Sequence, residues 1–108
     1  MDRTVKLTAV EKTQLCINIA EHLPAIRRIL GVTQEDFGDI CGFSRIRVSH
    51  IENGREIMSW SQLTSVMLIC LLNSGAKEYL LSNKLISARL MQFLQIKGEN
   101  EAPDFGIV

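Results

Sequence analysis

Surplus charge is the first thing this sequence lacks. Twelve basic and 12 acidic residues among 108 cancel to a formal net charge of zero. That balance counts against a protein that coats nucleic acid by bulk charge, although charge gathered on one face still matters. Cysteine is sparse: Cys16, Cys41 and Cys70 are odd in number, far apart and set among apolar residues. No CxxC pair and no zinc-like spacing is present. Three buried, reduced thiols in a cytosolic protein are expected instead. Proline occurs twice and aromatics make up 6%; no low-complexity segment and no internal repeat is visible. Long apolar runs are missing. The longest, Val66 to Leu72, falls well short of the about 20 residues that span a bilayer. No secretory signal opens the chain, so the cytoplasm is the expected compartment. Clustered carboxylates, a nucleophile at a readable spacing from a base, and a phosphate loop are all lacking, so no enzyme, metal or cofactor is expected.

What is present is aliphatic and helical. Hydrophobic residues reach 46%, and Leu, Ile, Gln, Glu, Lys and Arg recur at helical spacing. An all-α single domain follows, with a modest core. Thr8-Ala9-Val10-Glu11 fits a capping box that starts a helix to about His22, with Leu15, Cys16, Ile19 and Leu23 as its stripe. Pro24 predicts a break or kink near His22–Leu23 and a new segment to Leu30, with Ile26, Ile29 and Leu30 inward. Gly31 stops it. Thr33 caps a short helix to about Cys41 that buries Phe37, Ile40 and Cys41. Gly42 breaks it, and Ser44 caps a helix to about Glu52 that ends at Asn53-Gly54. A largely apolar helix starts at Ser59 or Ser61 and carries Trp60, Leu63, Val66, Met67, Cys70 and Leu71, with Gly75 after its end. Helices over Ala76–Leu81 and Lys84 to about Ile96 finish the domain. A mobile tail is expected over 98–108.

The two short helices around Gly42 form a helix-turn-helix candidate. Gly31-x-Thr33-Gln34, Gly42-x-Ser44 and Ile51-Glu52-Asn53-Gly54 stand in order within "LGVTQEDFGDICGFSRIRVSHIENGRE". This stretch resembles the DNA-binding domain of lambda-repressor-like regulators (Cro/C1-type, or XRE-type). "MSWSQLTSVMLICLL" is similar to the fourth helix of a subgroup. The resemblance covers about residues 23–72, and helices 8–22 and 76–96 would be additions. It implies an all-α bundle of about five to seven helices within a single domain over 1–97. Gly38 and Asp39 depart from it, being less helix-friendly than the family's usual residues.

Within this stretch, Arg45-Ile46-Arg47-Val48 alternates as a strand would, yet Val48 and Ile51 share a helical face. At about 100° per residue, Val48 and Ile51 turn inward. Ile46, Ser49 and His50 lie opposite, flanked by Arg45 and Arg47. An isoleucine exposed between two arginines calls for a covering partner. The major groove offers one: thymine methyls for Ile46, and guanine O6 and N7 for arginine.

The resemblance then implies roles. Arg45, Ile46, Ser49 and His50 would touch base edges. Thr33, Gln34, Ser44, Arg47, Asn53 and Arg55 would contact phosphates, with Gln34 as a clamp at a helix N-terminus. Plainer readings stand beside these. Glu52 would hold the turn or pair with an arginine, Arg27 and Arg28 would form salt bridges or a solvated face, and Trp60 would be core or interface. The expected function is sequence-specific binding of double-stranded DNA in the cytoplasm, at the nucleoid. The alternative is an antitoxin-type interaction module. The surplus of apolar residues over Lys84–Ile96 (Leu85, Ile86, Leu90, Met91, Phe93, Leu94, Ile96) predicts a homodimer through that region.

Overall fold

Thr8 begins the described fold. Its hydroxyl accepts from the Glu11 amide at 3.1 Å, and its own amide donates to the Glu11 carboxylate at 3.0 Å. This capping box opens α1, Ala9–Leu30. The computed structural model describes residues 5–95. They form six helices: α1, then α2 (Gln34–Cys41), α3 (Arg45–Glu52), α4 (Trp60–Leu71), α5 (Ser74–Ser82) and α6 (Ala88–Leu94). No strand occurs among the described residues.

Of the break or kink expected near His22–Leu23, the break is absent. Pro24 lies inside one continuous helix. Proline removes one intrahelical hydrogen bond, but Cys16, Ile19 and Ala20 before it and Ile26 after it are buried on one stripe with Leu23. Packing across the proline offsets the lost bond. The His22 ring is also held, with Nδ1 2.6 Å from the Tyr79 hydroxyl of α5. Gly31 ends α1 in the left-handed region, at φ 71°.

The core joins α1, α2, α3, α4 and α5 through Leu23, Phe37, Val48, Leu63, Cys70 and Leu80 among others, each at 0% exposure. All three cysteines are free and buried. Burial pushes the Cys41 thiol up to about 11. Burial, with Cys41 nearby, pushes Cys70 up to about 12. Two inward assignments need correcting. Ile40 is 51% exposed and Ile29 42%. On α2 the core takes Phe37, Gly38 and Cys41, which turns Ile40 to solvent.

Gly38 is buried in α2 because the turn after α2 passes directly over it. A Cβ there would collide with the Phe43 carbonyl oxygen and crowd the Ser44 carbonyl. The amides of Gly42 and Phe43 both donate to the Gly38 carbonyl, at 2.8 and 2.9 Å. The residue that departs from the family resemblance is thus the one that lets α2 and α3 approach.

The C-terminal helices also differ from expectation. α5 starts at Ser74, capped by the Asn73 side chain, so Gly75 lies inside it rather than between helices. Lys84 adopts φ 56°. Its amide donates to Leu81 and the Leu85 amide to Leu80, which closes α5 in a Schellman arrangement. The chain therefore cannot be helical from Lys84. Leu85 and Ile86 drop into the core as loop residues, and α6 begins only after Ser87. Leu90 is 1% exposed, and Phe93 meets Trp60 edge-on at 6.1 Å. Most of the apolar surplus expected to face a second copy is spent inside the molecule. Ile96 and the tail expected over 98–108 lie outside the described residues.

Candidate nucleic-acid interface

α2 and α3 are linked by a three-residue turn, Gly42–Ser44, with Gly42 at φ 89°. Ser44 caps α3 by accepting from the Arg47 amide at 3.1 Å. Thr33 caps α2 by accepting from Asp36 at 3.1 Å. In both caps the hydroxyl proton stays free to donate outward, so capping and contact with an acceptor such as a phosphate are compatible.

The strand reading of Arg45–Val48 is excluded, because these residues are helical. Val48 and Ile51 are buried at 0% and 2%. Ile46 on the opposite side is 59% exposed. Arg45 and Arg47 are exposed beside it, and Ser49 and His50 are half-buried one turn on. The four residues assigned to base contact therefore share the outer side of one helix. An α-helix with its side chains is about 10–12 Å across, which a major groove about 12 Å wide admits.

The residues assigned to phosphate lie at both ends of that helix. Ser44 is at its start, and Arg47 lies one turn in. Asn53, which donates to Ser49 Oγ at 3.4 Å, ends it. Arg55 is exposed just beyond. Gln34 and Thr33 reach the same end from α2, because Gln34 Nε2 donates to Glu52 at 3.0 Å. One amide proton of Gln34 is committed there and the other is not.

Glu52 is the centre of a closed network. Arg27 grips it with Nε at 2.6 Å and Nη2 at 2.9 Å, a bidentate pair tying α1 to α3. Its side chain is only 6% exposed. Burial raises its pKa, but the hydrogen bonds from Arg27 and Gln34 and the Arg27 charge outweigh that and hold the carboxyl below its usual range. The pairing foreseen for Glu52 is present, and its partner is Arg27. Arg28 instead reaches the Pro24 carbonyl at 3.5 Å.

Glu56 is the site residue that sequence reasoning missed. Gly54 turns the chain at φ 75°, and the amides of Arg55 and Glu56 both return to the His50 carbonyl, at 2.8 and 3.2 Å. The Glu56 carboxylate then meets His50 Nδ1 at 3.0 Å. Its second oxygen, shielded from solvent, lies 3.3 Å from Arg47 Nε but outside hydrogen-bond geometry. The His50 bond lowers the Glu56 pKa, burial opposes this, and the Arg47 charge adds to the lowering. Helical periodicity carries no signal for this contact, because the chain reverses between its ends.

The carboxylates of Glu52 and Glu56 are thus partnered within the fold, leaving Arg45 and Arg55 among the exposed charges around α3. Among the described residues, no three of His, Cys, Asp and Glu gather where a metal ion would sit. No described helix is long and apolar enough to cross a membrane. No protein-family profile, curated protein or solved structure matches this chain.

Proposed function

We propose that the protein is a Cro/C1-type, XRE-like helix-turn-helix regulator that binds double-stranded DNA by sequence, as a homodimer on a two-fold operator. One observation carries this reading. α3 is locked from behind by Val48 and Ile51 and presents Ile46, 59% exposed, between Arg45 and Arg47. A rigid helix with an apolar centre and guanidinium flanks matches the methyl and acceptor groups of major-groove base edges. The caps of α2 and α3 and the uncommitted proton of Gln34 supply donors for phosphate oxygens at both ends.

Selection of bound sequences from random duplexes tests the reading. The wild type enriches a two-fold motif, and Arg45→Ala relaxes one position of each half-site. A lost base contact costs about 1–3 kcal/mol. Gln34→Ala weakens all sequences alike and keeps the preference. Wild-type protein that enriches nothing, and whose binding to duplex DNA does not weaken with added salt, would overturn the proposal.

The antitoxin-type alternative rests on a different surface. Leu68 of α4 and Leu72, which caps that helix one turn on, are 55% and 50% exposed. Ile29 of α1 approaches Gly75, three residues beyond Leu72. A partner protein that binds this surface and leaves α3 free would favour that alternative.

A further inference from the structure

His50 stands on the outer side of α3 with its ring held from one end only. Nδ1 is 3.0 Å from Glu56 Oε1. An ionised carboxylate has no proton to give, so Nδ1 is the donor in this bond. A neutral imidazole carries one N–H, and here it is spent on Glu56. While the ring is neutral, Nε2 is therefore left as a bare lone pair.

Glu56 is not a floating surface acid. Its amide and that of Arg55 both bond the His50 carbonyl, which pins the carboxylate beside the ring whose tautomer it selects. Arg47 completes the setting, with Nε 3.3 Å from the other Glu56 oxygen. Among the described residues, Arg47 and Glu56 are the charged groups that meet His50 or its carboxylate partner.

We propose that Glu56 is a specificity-determining positioning residue: it fixes His50 in the Nδ1–H form, so that α3 offers an acceptor, Nε2, to the major groove. An acceptor selects a base that presents an exocyclic amine there, cytosine through N4 or adenine through N6. It disfavours guanine O6 and thymine O4, where two lone pairs would meet. Without Glu56 both tautomers become accessible, and guanine becomes acceptable at the same position. The inference rests on the DNA-binding reading and adds to it which base chemistry one residue recognises.

Two measurements separate this inference from the reading beneath it. The first needs no DNA: ring nitrogen resonances of His50 in mildly alkaline buffer, in the full chain. The wild type shows a protonated Nδ1 and an unprotonated Nε2, and Glu56→Ala shows a mixture. A wild-type Nε2–H ring, or a tautomer indifferent to Glu56→Ala, would overturn the proposal. The second is selection from random duplexes with wild type, His50→Ala and Glu56→Ala. His50→Ala identifies the position that His50 reads, by loss of its preference. The wild type prefers cytosine or adenine there by about fivefold or more over guanine, and Glu56→Ala brings guanine within about twofold. Guanine or thymine preferred there by the wild type, or no position responding to His50→Ala, would equally overturn it. If Glu56→Ala does not fold, Glu56→Gln takes its place, since an amide can donate or accept. A correct tautomer with no sequence enriched at all sinks the DNA-binding reading itself, and this inference with it.

Discussion

Replacing Gly38 with alanine sets two effects against each other. In an open helix the change gains roughly 1 kcal/mol. Here the new methyl would strike the Phe43 carbonyl and crowd Ser44, backbone that cannot swing aside, and overpacking of this kind costs about 1–3 kcal/mol. Gly38→Ala should therefore be destabilising by up to about 2 kcal/mol, read as a lower denaturation midpoint. A gain in stability would show that the turn after α2 is looser than it stands. Glu52→Gln gives a pH-dependent result. The folded state holds this carboxyl below its usual range, so its contribution is present above the unfolded value and is lost as pH falls through the folded one. At pH 7 the variant should be less stable by about 1.5–3 kcal/mol, the range for hydrogen bonds to a charged group. The gap should close in acid, once wild-type Glu52 is protonated. Melting curves at neutral and acidic pH decide it, and a gap that widens in acid would refute the assigned sign. Gly38 was legible only as an oddity and Glu52 only as a turn or pairing residue. Their partners Phe43 and Arg27 come from other elements, and no local pattern records such approaches.

At the scale of elements, most of the order was legible because caps carry it. Thr8, Thr33, Ser44 and Ser59 each accept from the amide three residues on; the first three were readable as caps from sequence, and Ser59 was one of two candidates beside Ser61. Two of the departures share a cause: tertiary packing overruled a local signal. Pro24 signalled a break, but the stripe from Cys16 to Ile26 is buried on both sides of it. Lys84 read as an ordinary helix start, yet it occupies the left-handed position that closes α5. For a non-glycine residue that conformation costs about 1–2 kcal/mol. Lys84→Gly should relieve part of this, raising stability by up to about 1 kcal/mol after the extra chain entropy of glycine is subtracted. Chemical denaturation measures it. A loss beyond about 1 kcal/mol would mean that the Lys84 side chain contributes contacts of its own.

Over the whole molecule, the legible part of the candidate site was α3. Its buried residues, Val48 and Ile51, determine which side faces outward, so Ile46 and the arginines could be placed from spacing alone. Assembly was argued from the same kind of spacing over Lys84–Ile96, and there the fold changes the argument. Leu85, Ile86 and Leu90 are between 1% and 9% exposed, closed within the chain's own core. Burying each such side chain contributes about 1.5–3 kcal/mol, and a small domain holds only about 5–15 kcal/mol in all. Truncation after Asn83 should therefore unfold the protein rather than merely separate a dimer, so it cannot test the interface. Leu94 can, being 36% exposed at the end of α6. On the proposed DNA-binding reading, the eight residues of α3 would read only a few base pairs, and two copies on half-sites about 34 Å apart would supply the missing discrimination. The expected result is a wild-type dimer at micromolar concentration. Leu94→Glu should shift it towards the 12.1 kDa monomer, with melting nearly unchanged, as for a surface substitution within about 0.5 kcal/mol. A wild-type chain that stays at 12.1 kDa with and without duplex DNA would overturn the dimer. A dimer untouched by Leu94→Glu would instead move the contact to another exposed apolar surface, with Leu68 and Leu72 next to be tested.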